Sequence, residues 1–105
     1  MRKAADAGAL AAGALLGVEV DGARICLARL EDGRVFAVSD TCTHEGASLS
    51  EGDIWNGSVQ CPQHGSLFDL ETGRVTGLPA RIPIDTFPVR IENGAIYVET
   101  GDPPL

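Results

Sequence analysis

Four residues carry the chemical content of this chain: Cys42 and His44 in the run Cys42-Thr43-His44, and Cys61 and His64 in Cys61-Pro62-Gln63-His64. Sixteen residues separate His44 from Cys61, so each short arm offers one thiolate and one imidazole. Iron in a sulfide cluster favours thiolate sulfur and accepts imidazole as a borderline ligand. Two such arms facing each other satisfy a [2Fe–2S] cluster in which two cysteines hold one iron and two histidines the other. That chemistry moves single electrons and makes no bond at a protein side chain. Zinc accepts the same donors, and a zinc-stabilised interaction module is the competing reading. Zinc sites, however, usually pair cysteine with cysteine on one arm and histidine with histidine on the other. A Cys42–Cys61 disulfide would leave both histidines unexplained.

The arms need tight loops on a rigid support. Gly46 and Gly65 follow the histidines, where a missing Cβ lets backbone N–H groups come close to a bound centre. Pro62 restricts the second loop. Elsewhere short apolar runs alternate with turn signals: 14–20, Asp21-Gly22, 23–30, Glu31-Asp32-Gly33, 34–38. Asn56-Gly57 interrupts 54–59, Glu71-Thr72-Gly73 divides 68–70 from 74–75, and Asn93-Gly94 divides 89–92 from 95–98. Asn93-Gly94 is the strongest hairpin signal, because both central positions of a type I′ turn need positive φ. Gly and Pro together number 19, where average usage gives about 13, so turns are many. The alanine-rich stretch 4–16 resembles a helix in composition, but its glycines and missing caps argue otherwise. The expectation is a single all-β domain over 1–105, an antiparallel sandwich or barrel with metal loops at about 40–80 projecting from one end.

A net charge of −7 argues against nucleic acid and anionic membranes as partners and for a basic patch on a partner protein. Glu45, Glu51 and Asp53 lie near the first arm and are candidates to meet such a patch. Three cysteines, two of them beside histidines, do not make a disulfide framework, so the expected setting is a reducing cytoplasm. The opening MRKAADAGALAAGALLGV places two basic residues before small apolar ones, yet Asp6 and three glycines dilute it. It is too short to span a bilayer and reads as part of the fold rather than as a secretory signal. No membrane association is expected, and the chain reads as a monomer.

The stretches C-T-H-E-G-A-S-L-S-E-G at 42–52 and C-P-Q-H-G-S-L-F-D at 61–69 resemble the Rieske ferredoxins of bacterial aromatic-ring-hydroxylating dioxygenase systems. The likeness runs from about Val18 through Val98 and takes in T-G-R-V at 72–75, L-P-A at 78–80 and the terminal hairpin. What it implies is a Rieske-type antiparallel β-sandwich with a small cluster-binding subdomain formed by the two ligand loops. It further implies one [2Fe–2S] cluster, with Cys42 and Cys61 on the inner iron and His44 and His64 on the outer. The role implied is that of an electron carrier, not an enzyme. A flavin-containing ferredoxin reductase draws electrons from NAD(P)H, and the ferredoxin hands them singly to a terminal oxygenase. The small Rieske-like subunit of an assimilatory NAD(P)H nitrite reductase has the same loops and is the alternative.

Respiratory-chain members of this superfamily carry an extra cysteine in each loop, where this chain has Ala47 and Gln63. They also place a serine and a tyrosine after the second loop; Ser66 is kept here, but Phe68 replaces the tyrosine. Fewer hydroxyl donors imply a potential of about −150 mV, the low end of a range reaching roughly +300 mV. The outward nitrogens of His44 and His64 imply a potential that falls as pH rises. Residues 78–83 resemble the proline-containing loop that covers the cluster in this family, against the plainer reading of a surface connection. Cys26, Trp55 and Tyr97 read as packing residues.

Overall fold

Turn chemistry sets where the strands break. Asp21 and Gly22, Asn56 and Gly57, and Asn93 and Gly94 all have positive φ (51° and 81°, 51° and 79°, 50° and 75°), as type I′ hairpins require. The computed structural model describes residues 1–43, 46–63 and 65–100. Its strands are β1 Arg2–Asp6, β2 Leu15–Val20, β3 Ala23–Arg29, β4 Val35–Ser39, β5 Asp53–Trp55 and β6 Ser58–Gln60. There follow β7 Leu67–Asp69, β8 Val75–Gly77, β9 Thr86–Phe87, β10 Val89–Glu92 and β11 Ala95–Val98. Short 3₁₀ turns at Ala7–Ala9 and Leu49–Glu51 are the helical elements among the described residues.

The strands form three antiparallel sheets, ordered β2-β3-β4-β9, β1-β11-β10 and β5-β6-β7-β8. Strand β3 joins their cores. Ile25 and Leu27 pack with Leu10, Val20, Ala37, Ile96 and Val98, between the first two sheets. On the opposite face Cys26 and Ala28 pack with Val38, Cys42, Leu49, Val59, Cys61 and Phe68. Alternation along one strand thus serves two interiors, and the second contains both arm cysteines. The all-β antiparallel expectation holds, with a sandwich as base and the small β5–β8 sheet as the subdomain bearing the second arm.

Two differences from the sequence reading have clear causes. The 4–16 stretch forms no α-helix, as expected, only the 3₁₀ turn at Ala7–Ala9, and its start is a strand: β1 pairs with β11 at Arg2↔Val98 and Lys3↔Tyr97. An Arg-Lys-Ala-Ala-Asp run has weak strand propensity, so the open edge of β11 decides the matter. Trp55 is 61% exposed, so it does not serve the core. Its position in β5 points it away from the face on which Ile54 joins the buried cluster.

Candidate metal centre

Cys42 lies just beyond β4 and Cys61 directly after β6. Both sit in loops with one hydrogen-bond pattern. The Cys42 N–H donates to the Ala47 carbonyl at 2.9 Å and the Gly46 N–H to the Cys42 carbonyl at 2.7 Å. Likewise the Cys61 N–H donates to the Ser66 carbonyl at 2.8 Å and the Gly65 N–H to the Cys61 carbonyl at 3.2 Å. Gly46 and Gly65 have φ of 76° and 77°. Their amides are therefore used inside the loops, and glycine is needed for the left-handed turn rather than for approach to a ligand.

The equivalent loops bring Cys42 (1% exposed) and Cys61 (2%) into one buried cluster. Neither they nor Cys26 are in a disulfide. His44 and His64, with Glu45, lie outside the described residues. Two cysteines held in an apolar, water-poor pocket by matched loops suit a soft thiolate-binding metal, so the donor set fits an iron–sulfur centre.

Backbone packing draws the arms together. After the first arm the chain turns through Leu49–Glu51 to Gly52, where an added Cβ would collide with the Gln60 carbonyl oxygen. Asp53 pairs with Gln60 in the β5–β6 ladder, so the return of arm one abuts the strand leading into arm two. The start and end of arm one are tied by Asp40. Its carbonyl accepts the Leu49 N–H at 2.7 Å and its Oδ1 the Ser50 N–H at 2.7 Å. Sequence reasoning passed over Asp40; an acid ending an apolar strand just before a ligand arm was the available signal.

Residues 78–83 are more than a surface connection. The Thr43 hydroxyl donates to the Ile82 carbonyl at 2.6 Å, and the Ala80 N–H donates to Ser66 Oγ at 3.0 Å in a buried contact. This loop is thereby fastened to both arms. The contact uses one lone pair of Ser66 and leaves its own proton to donate. A shallow hollow of about 360 Å³ lies between Thr43, Pro79, Arg81 and Ile82. Ile82 (62%), which lines it, and Leu78 (70%), next to Pro79 in the chain, stand exposed. Cys26 takes no part: it is fully buried, and burial first, then the Asp40 charge, pushes its thiol up to about 12.

The Rieske [2Fe-2S] domain model matches residues 2–88. The 3-phenylpropionate/cinnamic acid dioxygenase ferredoxin subunit of Photorhabdus laumondii is 44% identical over 72 residues, 68% of this chain and 69% of that protein. The Escherichia coli K12 protein of the same name is 41% identical over 68 residues, and the chain spans 64% of its length. A chain in the complex of reduced oxygenase and oxidized ferredoxin in carbazole 1,9a-dioxygenase superposes with a TM-score of 0.84 at 35% identity. That match covers 92% of this chain and 99% of the other. A putative NADH-dependent nitrite reductase small subunit from Mycobacterium tuberculosis gives 0.83 at 31% identity, covering 91% and 90%.

Proposed function

The chain belongs to the Rieske [2Fe–2S] domain family, and from that premise we propose that it is the electron-transfer ferredoxin of an aromatic-ring-hydroxylating dioxygenase system. When bound, the family's [2Fe–2S] cluster supplies a centre that gains and loses one electron at a time. In this reading Cys42 and Cys61 hold the inner iron and His44 and His64 the outer, within a chain that acts as one domain. The observation that carries it is the matched pair of loops enclosing Cys42 and Cys61 in one buried cluster.

The chain's own residues then have separable tasks. Leu49, Phe68 and Ala80 keep water from the two cysteines. Thr43 and Ser66 hold the 78–83 loop against both arms. Leu78 and Ile82 give that end an apolar rim on which a partner can seat. The partners we assign are a flavin-containing ferredoxin reductase that takes electrons from NAD(P)H and a terminal oxygenase that receives them. A net charge of −7 suits basic faces on both, met briefly and in turn by a monomeric carrier.

Fold similarity alone does not separate this role from nitrite reduction, since both kinds of structure superpose equally well. The 44% identity to a dioxygenase ferredoxin subunit favours the oxygenase. Among the described residues no helix is long and apolar enough to cross a membrane. With no disulfide present, we place the carrier in a reducing cytoplasm.

The test is reconstitution. The purified protein should be red-brown, with a rhombic EPR signal on reduction. It should pass electrons from an NAD(P)H-dependent flavoprotein reductase to a Rieske non-haem iron oxygenase working on aromatic substrates. A zinc-loaded colourless protein, or one that supports nitrite reduction and no oxygenation, would refute the proposal.

A further inference from the structure

We propose that Asp40, with Arg24 as its partner, is a positioning residue for the first arm and also a fixed charge that makes the bound cluster harder to reduce. The inference rests on the ligand assignment given above. Asp40 stands two positions before Cys42, and its side chain is 1% exposed. Every polar end of the residue is engaged. Its N–H donates to the Arg24 carbonyl at 3.1 Å and its carbonyl accepts the Leu49 N–H at 2.7 Å. Oδ1 accepts the Ser50 N–H at 2.7 Å, and Oδ2 accepts Arg24 Nη2 at 3.1 Å. Gly17 on β2 makes the room, since a Cβ there would come within 2.6 Å of Ser50 Oγ and 3.5 Å of Asp40 Oδ2.

Comparison of the two arms isolates what the acid adds. They share the same loop hydrogen bonds, yet the position before Cys61 that corresponds to Asp40 is Val59, fully buried and apolar. Loop closure therefore does not itself demand a carboxylate. A buried anion is costly unless paired, and here its cation is only partly effective. The Arg24 side chain is 63% exposed, so solvent screens the positive charge far more than the negative one. The net field at arm one is negative. Reduction adds one negative charge to the cluster, and a like charge nearby opposes it.

The two partners must then act with opposite sign. In the holoprotein, Asp40→Asn keeps an acceptor for the Ser50 N–H and should raise the midpoint potential. Arg24→Gln should lower it, by less because of its exposure, and that shift should shrink as ionic strength rises. Arg24→Lys, which keeps the charge, should stay near the starting value. The readout is a potentiometric titration followed in the visible and by EPR, with line shape confirming an intact cluster. Shifts of the same sign, or no shift in either variant, would overturn the inference. Should Asp40→Asn fail to take up cluster, Arg24→Gln against Arg24→Lys decides, and equal potentials refute. An unsubstituted protein that carries no cluster removes the premise itself, and that outcome is visible before any variant is made.

Discussion

At the scale of single residues, what surrounds the arm cysteines decides how readily the centre takes an electron. Phe68 is fully buried in the cluster that holds Cys42 and Cys61. Phe68→Tyr would add a donor there and should move the potential upward from about −150 mV; redox titration of the pair checks it. Ser66→Ala removes the acceptor of the buried Ala80 N–H. Leaving that amide unpaired should cost about 1–3 kcal/mol in denaturant stability. Cys26 makes a different prediction. Its thiol is held neutral to about 12 in the fold, against 9.0 for the ordinary group. Below pH 9 both states keep the proton and nothing changes; between 9 and 12 the unfolded chain ionises first, so stability falls as pH rises. The slope reaches about 1.4 kcal/mol per pH unit. Cys26→Ala should cost on the order of 1 kcal/mol at neutral pH from lost packing. Denaturant titrations should show that deficit constant up to about pH 9, closed within about one pH unit above it and reversed by about pH 11.

At the scale of elements, arm one is held where its return meets β6. The constraint at Gly52 is steric: the Gln60 carbonyl oxygen occupies the place of a Cβ. Gly52→Ala should cost at least about 1–3 kcal/mol and spread the arms. A lower iron content per chain after purification is the measurement. The hairpins were legible because Asp-Gly and Asn-Gly pairs announce them locally, and all three have the expected φ signs. The nearness of Cys42 to Cys61, which share one buried cluster, was also foreshadowed by arm spacing and residue type. Strand β1 was not, because its partner β11 is distant in sequence and its own composition is neutral. The outward placement of Trp55 was equally hidden, as a three-residue strand carries too little alternation to reveal its faces. Asp40 escaped for a third reason: its partners, Arg24 and Ser50, are distributed over two other elements.

For the whole molecule, the proposed docking turns on charge and on the exposed rim around residues 78–83. Electron transfer from the reductase should slow as salt rises, since screening weakens attraction between an acidic carrier and a basic face. Stopped-flow rates over a range of ionic strength test this, and a flat profile would argue for purely apolar docking. Replacing Leu78 or Ile82 with aspartate should weaken oxygenase turnover severalfold while leaving the visible spectrum intact, because both side chains are exposed. One feature also equips the molecule with an internal lamp. Trp55 is the lone indole of the chain and lies on the edge strand of the small sheet, bathed by water. Excited at wavelengths too long for Tyr97 in β11 to absorb, its fluorescence reports on that sheet alone, so opening of the subdomain can be timed separately from global unfolding.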